Sequence, residues 1–158
     1  MEKATFGAGC FWGVEAAFMK IKGVLETTVG YMGGKLDSPS YEDVCTDKTG
    51  YIEVVQIKYE PNIVSYNELL DIFWNIHDPT QKNRQGLDFG TQYKSVIFYY
   101  DENQHKIALE SREKLQLSKN FSKKIQTEIR PAEKFWKAEE YHQKYFFKNS
   151  NFDCKMHS

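Results

Sequence analysis

Cysteine is scarce: Cys10, Cys45 and Cys154 are the only three in 158 residues, too few and too scattered for a disulfide framework. Their odd number leaves at least one thiol outside any pair, so a cystine here is expected to be transient and chemical. Charge of one sign is lacking too. Basic and acidic residues nearly cancel, 21 against 22 for a net charge of −1, so neither nucleic acid nor an anionic membrane surface is advertised as a partner. A small or neutral ligand is the better expectation. No stretch approaches the ~18 consecutive apolar residues of a membrane span, and the first ten residues, MEKATFGAGC, lack the basic segment and apolar core of a signal peptide. These absences make a soluble, cytoplasmic protein the expectation. Proline is sparse as well: Pro39, Pro61, Pro79 and Pro131 sit at plausible element ends and loops, and no repeat or linker interrupts the chain.

What is present is material for a core. Apolar residues make up 41% of the chain and include 11 Phe, 10 Tyr and 3 Trp, which excludes disorder over most of its length. The length suits one domain over residues 1–158, with 148–158 a mobile tail. Residues 3–7 read as a strand running into Gly7-Ala8-Gly9-Cys10, after which Phe11, Val14, Ala17, Phe18 and Ile21 have helical spacing up to Gly23. A second strand is expected over 24–29, a short helix near 41–45, and a third strand over 51–59. Ser65 with Glu68 forms a capping-box pattern before the next helix, which ends near His77-Asp78-Pro79. A long polar loop through Gly90 leads to a strand at 95–100, and Asp101 with Gln104 opens another helix. A last strand is expected over 125–129 and a last helix over 138–147. This alternation, with few short βαβ spacings, favours an α+β sheet packed by helices.

Cys10 stands where a strand turns into a helix, and a thiol at a helix N-terminus feels the dipole and exposed backbone N–H groups that stabilise a thiolate. The glycines on either side of it give a ligand room to approach. A small buried apolar residue is the competing reading of the same position. Glu53 shares one face of its strand with Tyr51, Val55, Ile57 and Tyr59. If that face is the core side, desolvation raises the carboxyl pKa and makes Glu53 a proton donor; if the other face is buried, Glu53 is solvated. The loop over 83–93 is dense in hydrogen-bonding groups and glycine, a functional loop or simply a well-made one. Tyr31, among glycines, either presents its hydroxyl to a site or covers a core edge. His77, His105, His142 and His157 share no metal-ligand spacing with the cysteines beyond Cys154-x-x-His157, half a site, so no metal is expected.

Gly9-Cys10-Phe11-Trp12-Gly13, Gly30-Tyr31-x-Gly33-Gly34, Thr49-Gly50-x-x-Glu53, His77-Asp78-Pro79, Arg84-Gln85-Gly86, Asp88-x-Gly90-Thr91-Gln92-Tyr93 and Ala138-Glu139-Glu140-Tyr141-His142-Gln143 together resemble the A-type peptide-methionine sulfoxide reductases, in the family's order. The resemblance runs from about residue 4 to about residue 149. It implies an α+β fold, a two-layer sandwich with a mixed, ferredoxin-like central sheet, packed helices and long loops around the site. It implies reduction of the S epimer of methionine sulfoxide, free or in proteins, and so repair of oxidised proteins. Cys10 would be the thiolate that attacks the sulfoxide sulfur, and Phe11 and Trp12 the aromatic wall for the S-methyl group. Glu53 would protonate the sulfoxide oxygen, Tyr31 and Tyr93 would hold it, and Asp88 is carried over as a polar site residue.

The resulting sulfenic acid on Cys10 needs a second thiol. By resemblance Cys154 resolves it, and thioredoxin, as external reductant, regenerates the enzyme without a bound cofactor. Cys45 occupies a place where relatives may carry a cysteine without a catalytic task, and inert burial is expected there. With the sequence ending at Ser158, thioredoxin is expected to meet a Cys10–Cys154 disulfide directly. The chain departs from the pattern at Leu87, where relatives commonly have Asn, and at Tyr51 and Ile52, where His and Ala are common. A cysteine hydrolase using Cys10 and His142, a thiol peroxidase, and a peptide-binding module built on Phe11 and Trp12 are the competing functions. A monomer is expected.

Overall fold

The computed structural model of the chain describes residues 2–118 and 123–145. Cys154 and the expected tail over 148–158 lie outside the described residues. Strand β1 (Glu2–Ala8) leads into helix α1 (Phe11–Met19), and β2 (Val24–Met32) follows. The short α2 (Tyr41–Cys45) precedes β3 (Ile52–Tyr59) and α3 (Tyr66–Asn75). Two-residue strands β4 (Arg84–Gln85) and β5 (Asp88–Phe89) make a small hairpin before β6 (Ser95–Tyr99). Helix α4 (Glu102–Leu117), β7 (Glu128–Pro131) and β8 (Trp136–Lys137) complete the order.

The large sheet has the order β7-β6-β1-β3-β2-β8. Its neighbours are antiparallel except β6 and β7, so the sheet is mixed. Within it, β1-α1-β2 and β3-α3-β6 are two strand-helix-strand units whose strands interleave as β6-β1-β3-β2, which is the ferredoxin-like arrangement. Helices α1, α3 and α4 send Phe11, Val14, Phe18, Leu69, Leu70, Phe73 and Ala108 onto one sheet face, against Ala4, Phe6, Val29, Val55, Ile57 and Ile97. The opposite face carries a smaller cluster of Met32, Ile52, Val54, Val96 and Phe98, under Ala132 and Phe135. Helix starts follow local chemistry: Ser65 and Glu68 form the expected capping box, Asp101 accepts from Gln104 N at 2.8 Å, and Ser40 with Asp43 makes a second box at α2.

Three elements differ from the sequence expectation, each because of a distant partner. β2 continues through Gly30, Tyr31 and Met32 rather than ending at Val29, since these residues pair with Val54, Glu53 and Ile52. Glycine is required at position 30, where a Cβ would lie 2.4 Å from the Trp136 carbonyl oxygen of the adjoining β8. The strand expected from 125 starts at Glu128, because Gln126 N donates to Pro79 O and Thr127 O accepts from Arg112 before the ladder with β6 begins. The helix expected from 138 is replaced by a single 3-10 turn, Glu140–His142. The Gln143 side chain bonds Val29 N, Val29 O and Ala138 O, so this segment is pinned along β2 instead of coiling on itself.

Candidate active site

Cys10 is the N-cap residue of α1, and its carbonyl accepts from Val14 N at 3.3 Å. Gly9, at φ +95°, makes the turn out of β1 and leaves space that the Gln85 side chain closes to within 2.9 Å of where a Cβ would stand. The thiol is half-buried. Behind it, Phe11 N, the first amide of the helix, donates to Glu53 Oε1 at 3.3 Å. The helix N-terminus thus serves two groups that are both anionic when ionised. Glu53 is 2% exposed, and its face of β3 is the face covered by the helices. The alternative in which Glu53 is solvated is excluded, although the other face of β3 is also buried at Ile52 and Val54. Burial pushes the Glu53 pKa well above the ordinary carboxylate value, and the neighbouring Cys10 adds to the rise. The hydrogen bonds from Phe11 N and Gln92 oppose it.

Tyr31 is the register partner of Glu53 on β2, so the two side chains emerge on one face. Its hydroxyl donates to Glu139 Oε1 at 3.0 Å, and its pKa is raised, by burial first and by Glu139 second. Tyr93, on the 3-10 turn after β5, is half-buried, and its phenol is also pushed up, by burial and then by Glu53, Asp88 and Cys10 nearby. Asp88 is buried at the start of β5, opposite Gln85. The structure therefore gathers Cys10, Phe11, Tyr31, Glu53, Asp88 and Tyr93, with Cys10 and Tyr93 half-buried and Tyr31 and Glu53 in the core.

Phe11 is 1% exposed and packs at 5.8 Å from Tyr31, 6.5 Å from Tyr41 and 5.2 Å from His142. Trp12 lies beside it, stacked on Tyr145 at 3.9 Å, with its indole N–H donated to His142 Nδ1 at 3.0 Å. That bond occupies the acceptor nitrogen of His142, which a base for Cys10 would need, and burial lowers the His142 pKa. The hydrolase reading loses its base. His77 is structural: Nδ1 donates to Phe73 O at 2.7 Å, leaving Nε2 to accept from Ser95 Oγ at 2.7 Å.

Cys45 is exposed, which corrects the expectation of inert burial: it is the last residue of the short α2, whose one buried side chain is Val44. Its Sγ accepts from Gln92 Nε2 at 3.4 Å, and the same amide nitrogen donates to Glu53 Oε2 at 3.4 Å. Asp47 holds Thr91 through both its backbone N–H and its hydroxyl, a second tie between these loops. Gln92 and Glu139 belong to the site by these contacts and were given no role in the sequence reading. Both stand inside recognised motifs, but their partners Glu53 and Tyr31 lie 39 and 108 residues away, so no local pattern marks them. Among the described residues no group of three or more His, Cys, Asp or Glu could hold a metal ion.

The family model described as peptide methionine sulfoxide reductase matches residues 2–158. A peptide methionine sulfoxide reductase MsrA of Methanothermobacter thermautotrophicus is 58% identical over 155 residues, covering 98% of this chain and 92% of that protein. Among solved structures, Mxr1 of Saccharomyces cerevisiae in reduced form superposes with a TM-score of 0.85 at 38% identity, over 99% of this chain and 91% of that one. Mxr1 in complex with Trx2 gives a TM-score of 0.58 at 27% identity, over 91% of this chain and 84% of that one. With its family matched along nearly the whole sequence and its fold shared with solved relatives, the chain belongs to the peptide methionine sulfoxide reductases of the A type.

Proposed function

We propose that this protein reduces the S epimer of methionine sulfoxide, free or in oxidised proteins, with Cys10 as nucleophile and thioredoxin as external reductant. The observation that carries the reading is the pairing of Cys10 at the N-cap of α1 with a buried Glu53 held on the first amide of the same helix. Such a pair holds one proton where two negative charges would repel, so a thiolate can coexist with a neutral acid. The thiolate sulfur attacks the sulfoxide sulfur while Glu53 protonates the departing oxygen, and Tyr31 and Tyr93 hold that oxygen. In the net step the thiol and the sulfoxide give a Cys10 sulfenic acid and a thioether. The methionine sulfur is reduced by two electrons and the cysteine sulfur is oxidised by two.

Phe11 and Trp12 are the apolar wall for the S-methyl group. Cys154 then condenses with the sulfenic acid, releasing water and forming the disulfide that thioredoxin attacks. Trx2 bound to the yeast relative supports that partner. The protein acts as a monomer in the cytoplasm and needs no bound cofactor or metal.

The test follows NADPH consumption with thioredoxin, its reductase and each epimer of a methionine sulfoxide substrate. Turnover of the S epimer alone is expected; turnover of peroxide, or of neither epimer, overturns the reading. Cys154→Ser is expected to reduce one equivalent of sulfoxide per enzyme and then stop with thioredoxin. A tryptic pair linked through Cys10 and Cys45 in the wild-type protein would move the resolving role to Cys45.

A further inference from the structure

Glu139 spends both carboxylate oxygens on the site. Oε1 accepts the Tyr31 hydroxyl at 3.0 Å, and Oε2 accepts Tyr41 N, the first amide of α2, at 3.0 Å. Its place is set by the sheet edge: Trp136 and Lys137 pair with Tyr31 and Gly30, Ala138 N donates to Val29 O at 3.0 Å, and Gln143 locks the segment from beyond the turn. Burial alone would raise the Glu139 carboxyl, but the Tyr41 amide and the Tyr31 hydroxyl overcome it and hold the group below its ordinary value. It is therefore a carboxylate, an acceptor only.

A tyrosine hydroxyl has a single proton. That of Tyr31 is donated to Glu139. Toward Glu53, its cross-strand neighbour, the phenol oxygen has only lone pairs left to offer. An oxygen of that kind repels the bare sulfoxide oxygen, itself an acceptor. It suits the same oxygen once Glu53 has protonated it and an S–OH group exists.

We propose that Glu139 is a positioning residue for the reductase step: by taking the Tyr31 proton it makes Tyr31 an acceptor for the hydroxyl that forms on the substrate as the sulfur–sulfur bond is made. The inference rests on the reductase reading given above. In the step, the Cys10 sulfur bonds to the substrate sulfur, the S=O oxygen takes the Glu53 proton, and the new O–H donates to Tyr31. The proton between Tyr31 and Glu139 stays where it is, so no charge moves through this pair. The hydrogen bond exists only after proton transfer begins, so it stabilises the transition state and not the bound substrate. Tyr93 is then the phenol that donates to the sulfoxide oxygen in the ground state.

A double-mutant cycle on the full chain tests this, read in single-turnover reduction of a methionine sulfoxide peptide. Glu139→Gln and Tyr31→Phe are each expected to slow the step about tenfold, the order of one lost hydrogen bond, with KM for the sulfoxide unchanged. In the Tyr31→Phe background, Glu139→Gln is expected to cost less than about twofold. A full tenfold loss in that background overturns the proposal, because Glu139 would then act through Tyr41 and α2. A rise in KM with the maximal rate preserved overturns it as well.

Should Glu139→Gln prove unfolded by thermal melting, 3-fluorotyrosine at position 31 is the second variant. Its oxygen is a poorer acceptor and its hydroxyl a better donor, so slower reduction is expected, and faster reduction overturns the proposal. Failure of the reductase reading itself would be visible separately, as a wild-type protein that does not reduce the sulfoxide.

Discussion

The two halves of the site are built differently. Tyr31 and Glu53 face each other in the ladder of β2 and β3, and Cys10 and Phe11 open α1 directly after β1, whose ladder with β3 includes Phe6↔Val55. Asp88, Gln92, Tyr93 and Cys45 stand on a hairpin of two-residue strands, a 3-10 turn and a five-residue helix, and Glu139 caps a second 3-10 turn. That second half is pinned by side chains: Gln85 on both backbone groups of Asp78, Gln81 on Gly86 N, Asp47 on Thr91, Gln143 on Val29. The groups proposed to make and break bonds, Cys10 and Glu53, thus sit in the sheet-held half or at its margin. The groups that position them and line the approach sit where single side-chain changes allow adjustment.

The comparison is broken most severely at the thiol. Cys10→Ser is expected to abolish sulfoxide reduction with the melting temperature unchanged, because an alkoxide neither forms at this site nor makes the required bond to sulfur; residual turnover above a few per cent would contradict the role. Glu53→Gln keeps a weak hydrogen bond to the substrate oxygen but delivers no proton, so the single-turnover rate should fall roughly 100-fold. The sign of its pH dependence follows from the raised pKa of Glu53: the wild-type rate declines as pH rises through that value and the acid ionises, and the variant loses this alkaline decline.

A smaller effect is expected on the side-chain-pinned half. Gln92→Leu removes the donor that favours ionised Glu53, so Glu53 stays protonated to higher pH. The alkaline decline should move upward, with a loss in rate of only about fivefold from the looser loop. A downward move would show that Gln92 does not act on Glu53.

The smallest expected effect lies in the frame and not in the chemistry. His77 is half-buried between α3 and β6 with both ring nitrogens bonded, and desolvation lowers its pKa from 6.5 to about 4. The unfolded chain takes up that proton near 6.5 and the folded one does not, so this group's stabilisation is complete above 6.5 and is lost as pH falls toward about 4. Glu53 contributes the opposite slope, since its folded pKa is the higher one. Denaturant titrations of Glu53→Gln with and without His77→Gln should therefore differ in slope within that window, and identical slopes would remove His77 from the account.

The amino-acid sequence by itself determined the elements whose causes are local. Ser65 with Glu68 and Asp101 with Gln104 name their helices because a cap is satisfied within three residues. Gly9 before Cys10 places the thiol at a helix start for the same short-range reason. The motifs around Cys10, Glu53 and Tyr93 likewise carried the family. Tertiary structure alone decided which face of β3 is covered by helices, because Ile52 and Val54 on one side and Val55 and Ile57 on the other are equally apolar. It alone extended β2 across Gly30, replaced the expected last helix with a turn, and brought Gln92 to Glu53 and Glu139 to Tyr31. Each of these depends on hydrogen-bonding groups far apart in the chain, and a backbone or side-chain polar group takes the partner that burial leaves within reach, whatever its neighbours in sequence prefer.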